Sequence, residues 1–361
     1  MRDVFTRSKN NPVIKPDPKN PWESLKVYNP GAVFHNEKYH LFYRAMGKDG
    51  VCRLGYAVSE DGENFERYSE PVMEPKTEYE KWGIEDPRIS KISDTFYMIY
   101  TGFDGVTPRL HIATSKDLKN WEKHGLVFKD FNFIEEGGVF VEWKNGKPIE
   151  TTDLKPGREE WSKAGAIFPE KIKKKYWMVF NEFRIFYATS DNGKDWNVLK
   201  DKYLVESRKN SKKGKEYFDN VFVEAGPPPI KTDKGWLVFY HGINDAIQYH
   251  LGFVLTDLND PTKILYRSEE PLFGPKEGHE LSGMVDIIPG MPELLREGEE
   301  KKIKEKLKEA EKEGFMPQVT FTPAAVKNKG EIRIFYGAGD QAVCTATALL
   351  KDILSEVPEN L

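Results

Sequence analysis

Five short segments of the chain place an aromatic or aliphatic residue at every second position, or at every position. They are Tyr39–Tyr43, Phe96–Tyr100, Tyr176–Phe180, Trp236–Tyr240 and Ile332–Tyr336. A period of two, or a short continuous apolar run, is typical of β-strands in a packed sheet. The pattern therefore predicts five buried strands that are spread over the whole chain.

Each of these strands has a shorter apolar segment before it and another after it. The preceding segments are Asn29–Phe34, Asp86–Ile89, Gly165–Pro169, Gly226–Ile230 and Pro323–Val326, and the following ones are Leu54–Ser59, Leu110–Ser115, Ile185–Ser190, Leu251–Leu255 and Val343–Ala348. Five copies of a small antiparallel unit without intervening helices favour an all-β fold, a five-bladed β-propeller with a small helical insertion. A β-sandwich is the competing layout, although a sandwich need not repeat one three-strand pattern.

Two insertions interrupt the repeats, and we expect residues 1–361 to form a single propeller domain around them. Residues from about 130 to 160 are polar and glycine-rich, which predicts a loop or a hairpin before the third repeat. Residues Glu293–Glu313 combine a Lys/Glu run with apolar residues at near-helical spacing, which predicts a solvated amphipathic helix. A lid and a contact between copies in a homo-oligomer are the alternatives for this helix.

The composition narrows the classes of function. Charged residues make up 31% of the chain and the net charge is −4, so nothing favours a nucleic acid or an anionic membrane as partner. The first residues lack the apolar core of a signal peptide and no apolar run could span a bilayer, so we expect a cytoplasmic protein. Cys52 and Cys344 are too few for a disulfide scaffold, and no metal-ligand spacing is present.

One stretch, Gly83–Ile89, reads G-I-E-D-P-R-I and combines two adjacent carboxylates with a proline and an arginine. Pro87 restricts the residue before it and predicts an extended Asp86. Neighbours on an extended chain point to opposite sides, so we expect Glu85 and Asp86 to have different roles, with Arg88 on the face of Asp86. A carboxylate held beside a fixed cation suits proton transfer. A structural ion pair at the start of a strand is the alternative.

The first strands of a propeller converge on its central channel, and this would gather polar residues that are distant in sequence. The carboxylates expected there are Glu85, Asp86, Asp104, Glu182, Glu224 and Glu280, and the other candidates are Asn29, Arg44, Arg53, Arg88, Arg109, Lys163 and His241. No phosphate-binding glycine motif and no serine nucleophile elbow is present. Carboxylate acid–base chemistry in a polar, aromatic cleft is the chemistry of glycoside cleavage. For each single residue, a surface or structural role is the alternative.

Several motifs together resemble glycoside hydrolase family 130. They are Gly83–Ile89, Tyr100–Gly105, Phe168–Ile172, Ala225–Ile230, Tyr240–Gly242 and Phe335–Ala338, and they occur in order over nearly the whole chain outside the insertions. The resemblance implies a five-bladed propeller that cleaves β-mannosides of manno-oligosaccharides with inversion, without a cofactor. Most members are phosphorylases, which use inorganic phosphate as co-substrate, and a smaller group are hydrolases. By this resemblance Asp86 matches the general acid, which acts through a sugar hydroxyl. Positions that contact sugar or phosphate match Asn29, Arg44, Arg88, Asp104 and Arg109.

Departures from the phosphorylase pattern favour hydrolysis. Asn181-Glu182 stands where phosphorylases tend to have His-Arg, and Phe222 stands where they have a lysine. Added carboxylates repel a phosphate dianion, whereas an inverting hydrolase needs a carboxylate to activate water. We expect Glu224 to be this base, with Glu182 and Glu280 as the next choices. A phosphorylase that uses Arg44, Arg109, Lys163 and His241 is the main alternative, and a non-catalytic sugar-binding propeller is another.

Overall fold

The computed structural model describes residues 3–144, 147–152, 157–209, 214–281 and 318–359, together with a few isolated positions between 294 and 309. These residues form 23 β-strands, β1 to β23 in chain order, and the helical segments beside them are single turns. The short helices are Pro21–Glu23, Glu78–Glu80, Gly278–Glu280, Leu350–Ile353 and Leu354–Glu356. The all-β prediction is confirmed.

The strands form five antiparallel repeats, of which the first two are joined. Strand β1 (Thr6–Arg7) precedes the first repeat, which comprises β2 (Lys26–His35), β3 (Lys38–Met46), β4 (Cys52–Ser59) and β5 (Glu66–Arg67). The second comprises β6 (Gly83–Ile92), β7 (Thr95–Phe103), β8 (Pro108–Ser115) and β9 (Glu122–Leu126). One parallel pair, Cys52 with Gly83, links them into a single sheet.

A hairpin separates the second repeat from the remaining three. It consists of β10 (Phe140–Lys144) and β11 (Lys147–Thr151), so the predicted insertion at about 130–160 contains a hairpin. The third repeat comprises β12 (Ala166–Ile167), β13 (Tyr176–Phe180), β14 (Arg184–Ser190) and β15 (Asn197–Glu206). The fourth comprises β16 (Phe222–Ala225), β17 (Ile230–Thr232), β18 (Gly235–Ile243), β19 (Tyr249–Thr256) and β20 (Ile264–Arg267). The predicted helix at 293–313 lies outside the described residues, apart from isolated positions.

The fifth repeat combines the two ends of the chain in one sheet. It comprises β21 (Thr320–Asn328), β22 (Glu331–Ala338) and β23 (Ala342–Leu349), and β1 pairs antiparallel with β23 at its edge. In the register, Thr6 lies opposite Thr347. The N-terminal strand therefore completes a sheet whose other strands come from the C-terminal end of the described chain.

The core consists of apolar clusters between neighbouring repeats. Tyr56 and Met98 belong to the cluster between the first and second repeats, and Ile99 and Met178 to the next. The remaining clusters contain Val179 with Trp236, Leu237 with Ile334, and Leu41 with Phe335. The last of these packs the fifth repeat against the first. Because both faces of the middle strands are buried, their sequences are apolar almost throughout rather than strictly alternating.

Within the described residues, no helix is long and apolar enough to cross a bilayer.

Candidate functional site

Irregular first strands position the central side chains of the site. The pairing of β6 with β7 shifts between Glu85 and Arg88, so Asp86 and Pro87 form a bulge. The backbone of Asp86 has a φ of 52°. The prediction of an extended Asp86 is therefore wrong. A bulge leaves residues without a partner in the ladder, and Asp tolerates a positive φ better than most residues do.

The same kind of bulge occurs in β2, where the pairing shifts between Tyr28 and Gly31 and Asn29 has a φ of 44°. The two bulges bring their polar side chains together, and Asn29 Nδ2 donates to Asp86 Oδ1 at 3.0 Å. Each bulge contains a proline, which has no N–H to donate to the neighbouring strand. Asn29-Pro30 and Asp86-Pro87 thus mark the positions at which the first strands of two repeats direct polar side chains toward each other.

Glu85 and Asp86 bind the same guanidinium. Arg44 Nη2 donates to Glu85 Oε1 at 2.7 Å, and Arg44 Nη1 lies 3.4 Å from Asp86 Oδ1. The expectation that the two carboxylates point to opposite sides is wrong, because the left-handed backbone at Asp86 rotates its side chain. Burial alone would raise the pKa of the Asp86 carboxyl, but Arg44, Lys163 and Arg88 outweigh burial and lower it. Asp86 must therefore take up a proton from solvent before it can act as a general acid.

Arg88 is fully buried and is held by backbone carbonyls. Its Nε donates to Gly226 O at 2.9 Å, its Nη2 to Ala225 O at 2.9 Å and its Nη1 to Asp86 O at 3.2 Å. Arg88 lies near Asp86, as predicted, but its hydrogen bonds also link the second repeat to the fourth. Burial lowers the pKa of Arg88 despite the nearby carboxylates of Glu224 and Asp86.

A second group of charges comes from the third and fourth repeats. Residues Glu182 and Glu224 form an antiparallel backbone bridge and are 7% and 3% exposed. Trp161 Nε1 donates to Glu182 Oε1 at 2.7 Å, whereas no described residue donates a hydrogen bond to the Glu224 carboxylate. Asn181 Oδ1 accepts from Lys163 N at 3.1 Å and fixes the backbone next to the lysine.

Electrostatic coupling joins this group to Asp86. Burial would lower the pKa of Lys163, but Glu182, Glu224, Asp86 and Glu85 outweigh burial and raise it. Burial, followed by repulsion from Glu182, raises the pKa of Glu224 to about 8. Glu224 is therefore protonated at neutral pH. We call Arg44, Glu85, Asp86, Arg88, Lys163, Glu182 and Glu224 the central cluster.

The raised pKa of Glu224 predicts a pH-dependent loss of stability that glutamine removes. The folded protein holds this proton more tightly than the unfolded chain, so the contribution of Glu224 falls as the pH rises from 4.5 to about 8. The fall amounts to at most about 5 kcal/mol. Urea unfolding of wild type and Glu224→Gln should give similar stabilities at about pH 5, with the variant more stable at about pH 8. Equal pH dependence in both proteins would contradict the buried, protonated state.

His241 lies near Arg88 as a neutral imidazole. Its Nε2 accepts from the Thr322 backbone N–H at 2.8 Å, and its ring stacks on Phe321 at 4.5 Å. Burial and the nearby Arg88 lower its pKa well below the usual value. Because Nε2 is occupied and the ring is neutral, His241 does not add a positive charge to the site.

The predicted residues Asp104 and Arg109 lie at the edge of the second repeat. Arg109 Nη1 binds Asp104 Oδ2 at 2.5 Å, and Arg109 Nε binds Glu160 Oε2 at 2.5 Å. Asp104 Oδ1 also accepts the backbone N–H of Val106 and Thr107, both at 2.8 Å. Both side chains are partly exposed. Arg109 is thus engaged by two carboxylates and is fixed in place beside the 130–160 insertion.

Glu280 does not join the central cluster. Its carboxylate accepts from Arg7 Nε at 2.9 Å and from the Tyr336 hydroxyl at 2.7 Å, and it also caps two backbone N–H groups. Glu80 has the same arrangement with Tyr100 and Lys123 in the second repeat. Because the same kind of contact occurs at Glu80, the contacts of Glu280 are a structural feature that the repeats share. Arg53 pairs with Asp49 and Glu74 instead of the cluster.

Two aromatic residues of the site were missed in the sequence. Trp161 contacts Glu182, and Tyr249 lies near Glu224, Glu182 and Asp86, whose charges act with burial to raise its pKa well above the usual value. Tyr249 begins β19, the third long strand of its repeat, whereas the sequence argument considered mainly first strands. Among the described residues, no group of His, Cys, Asp and Glu is placed to hold a metal ion.

The chain is similar to known proteins over nearly its whole length. A family model, Glyco_hydro_130, described as beta-1,4-mannooligosaccharide phosphorylase, matches residues 3–304. The 1,2-beta-oligomannan phosphorylase of Thermoanaerobacter sp. (strain X514) is 34% identical and the alignment covers 96% of this chain and 98% of that protein. The beta-1,2-mannobiose phosphorylase of the same strain is 30% identical, with coverages of 95% and 96%.

A solved structure is similar over the same length. The description of that structure says that the GH130 family of mannoside phosphorylases contains glycoside hydrolases that target beta-1,2 mannosidic linkages in Candida mannan. It is 29% identical with a TM-score of 0.71, and the superposition covers 96% of this chain and 94% of that one. By that description the family includes both phosphorylases and glycoside hydrolases.

Proposed function

Because the chain belongs to glycoside hydrolase family 130, as the match over residues 3–304 shows, we propose that this enzyme cleaves β-mannosidic linkages of manno-oligosaccharides with inversion. The main observation behind the proposal is that three buried carboxyl groups from different repeats interact electrostatically. They are Asp86 from the second repeat, Glu182 from the third and Glu224 from the fourth. Inverting cleavage requires an acid and a base on opposite sides of the sugar. The names of the curated relatives support a β-1,2 linkage for the substrate.

The curated relatives favour phosphate as the acceptor, and phosphorolysis is the second candidate. They support this alternative better than the prediction of hydrolysis. Of the cations proposed for phosphate, Arg44 is engaged by Glu85 and Asp86, and Arg109 by Asp104 and Glu160. Lys163 has no carboxylate within 4.0 Å among the residues that the structure describes, so it is the cation best placed to meet an anion.

The charges of this chain favour water, and we propose hydrolysis on that ground. Glu182 lies near Lys163, and one like-charge contact at 4 Å disfavours a dianion by about 4 kcal/mol at an effective dielectric of 20. Phe222, which takes the place of the lysine, is buried and packs on Phe183 with ring centres 5.2 Å apart. A buried aromatic ring offers no donor to phosphate.

Hydrolysis at this cluster follows a balanced course. The water oxygen forms a bond to the anomeric carbon while the ionised member of the Glu182–Glu224 pair takes a water proton. The bond from that carbon to the glycosidic oxygen breaks, and its electron pair stays on the leaving oxygen. This oxygen receives a proton from Asp86, relayed through a sugar hydroxyl. Return of the proton from the base to Asp86 through solvent restores the enzyme.

We also propose that the five repeats are the blades of one propeller domain spanning residues 1–361. Apolar clusters between consecutive repeats, and between the fifth and the first, support this arrangement. Pairing of β1 with β23 supports it as well, since it joins the ends of the chain. A homo-oligomer and a cytoplasmic location stay predictions.

Proton NMR during the first minutes of β-1,2-mannobiose cleavage is expected to test the reaction itself. Inversion predicts that the sugar released from the non-reducing end appears first as the α-anomer. The β-anomer as first product would contradict an inverting mechanism. Binding without any cleavage would instead support the sugar-binding propeller.

A further inference from the structure

The two carboxylates of the third and fourth repeats differ in their hydrogen bonds. Glu182 receives the Trp161 indole N–H at 2.7 Å, and no described residue donates to Glu224. A hydrogen bond donated to a carboxylate stabilises its charged form. When two buried carboxylates are adjacent their titrations are coupled, and a donor favours charge on the carboxylate that it binds.

From this asymmetry we propose that Trp161 is a positioning residue whose indole N–H holds the Glu182 carboxylate in place, so that Glu182 rather than Glu224 takes the proton of the attacking water. The inference rests on the proposed hydrolytic function. It places Glu182 ahead of Glu224, which the sequence ranked first of three candidates for the base. The step is the one given above, with the water proton passing to Glu182 and the water oxygen to the anomeric carbon.

Trp161 is held in place by its surroundings. Its ring packs edge-to-face on Phe140 of the hairpin at 5.2 Å, and the Arg158 guanidinium lies 5.3 Å from its centre. Asn181 Nδ2 donates to the Trp161 carbonyl at 3.4 Å. The insertion at about 130–160, predicted as a loop or a hairpin, therefore supports the indole that binds Glu182.

The charged groups around Glu182 are consistent with this assignment. The groups that interact electrostatically with Glu182 from neighbouring elements are Lys163, Arg88, Glu224 and Tyr249. Arg184, which lies two residues after Glu182, forms an ion pair with Glu206 instead. Glu224 has a pKa of about 8, and the pKa of Asp86 lies below its ordinary value of 3.8. A proton held on Glu224 leaves it less able than Glu182 to accept the water proton.

Trp161→Phe tests the proposal, because phenylalanine keeps a ring but loses the N–H. We expect kcat for β-1,2-mannobiose hydrolysis to fall about 10- to 100-fold, as for loss of a hydrogen bond to a charged group, with KM nearly unchanged. The acidic limb of the kcat/KM profile should move to higher pH, since more alkaline conditions are then needed to ionise the base. A purely structural role would lower stability without moving this limb.

Trp177→Phe is the matched control. Trp177 lies in the same repeat, is also partly buried, and donates its indole N–H to the Ile172 carbonyl at 3.2 Å, away from the central cluster. Its variant should keep the wild-type pH profile. Thermal unfolding of both variants reports any loss of fold.

If Trp161→Phe does not fold, the activities of Glu182→Gln and Glu224→Gln test the proposal instead. Glu182→Gln should reduce kcat by about 10²–10⁴-fold, the usual effect of losing a general base. Glu224→Gln should lose less kcat than Glu182→Gln at pH 6, because glutamine resembles the protonated carboxyl. A deeper loss in Glu224→Gln than in Glu182→Gln, or an unchanged pH profile in Trp161→Phe, would overturn the assignment while hydrolysis stands. Strict phosphate dependence of the wild type would instead overturn the proposed hydrolysis.

Discussion

Asp86→Asn is expected to reduce kcat by about 10²–10⁴-fold while the protein stays folded, because the amide cannot supply the proton that the leaving oxygen needs. Asparagine has the shape of aspartate and can still accept the hydrogen bond from Asn29. The side chain is 4% exposed, so solvent has little access to replace its role. Initial rates on β-1,2-mannobiose measure the loss, and circular dichroism with urea unfolding reports the fold.

Asp94→Asn provides the same chemical change away from the cluster. Asp94 lies in the turn between β6 and β7 and pairs on the surface with Lys116. Its variant should keep wild-type activity. If Asp86→Asn retained most of its activity, Asp86 could not be the acid, and the protonated Glu224 would become the first candidate.

Arg44→Leu is expected to lower the free energy of unfolding at about pH 7 by about 3–5 kcal/mol, because it leaves Glu85 and Asp86 buried without their shared cation. The deficit should shrink at about pH 4, since protonation then neutralises the two carboxyls. Loss of Arg44 also raises the pKa of Asp86, because this guanidinium is the strongest favourable partner of the carboxylate. Urea unfolding at both pH values measures the effect.

Arg53→Leu is the control for that substitution. Arg53 lies in the next strand and pairs with Asp49 and Glu74, whose side chains are 49% and 57% exposed. Exposed ion pairs contribute at most about 1 kcal/mol, so its deficit should be small at either pH. A deficit in Arg44→Leu that is equally small, or that does not depend on pH, would show that the cluster does not need this cation.

Much of the fold could be predicted because it is encoded locally. The strands containing Tyr39–Tyr43 and Trp236–Tyr240 are buried on both faces, so their apolar runs are long enough to recognise without knowledge of the neighbouring sheets. The pairing of β1 with β23 could not be predicted in the same way. Thr6–Arg7 has no apolar pattern, and its place depends on contacts between the two ends of the chain.

The site was predictable only where a motif marked it. Asp86 stands out because Pro87 and Arg88 follow it, but the bulge that turns it toward Arg44 depends on pairing with β7. Glu280 resembled the other carboxylates in sequence, and only its contacts with Arg7 and Tyr336 separate it from them. No spacing rule relates Trp161 to Glu182, because the N–H that joins them crosses between elements.

The charge states within the central cluster were also beyond sequence reasoning. Glu182 and Glu224 are the same residue type, and the burial, the bridge between them and the single indole donor make them different. Coupling of this kind depends on distances of a few ångströms that no local pattern contains. The sequence therefore indicated three candidate bases. The structure places Glu280 outside the cluster and provides a reason to choose between Glu182 and Glu224.

The most direct test of the account is the rate of β-1,2-mannobiose cleavage as inorganic phosphate is added to a phosphate-free reaction, with chromatography of the products. The Glu182 carboxylate near Lys163 and the buried Phe222 predict that mannose is released without phosphate, at a rate that added phosphate does not increase. Activity that appears only with phosphate, with mannose 1-phosphate as the product, would contradict the account.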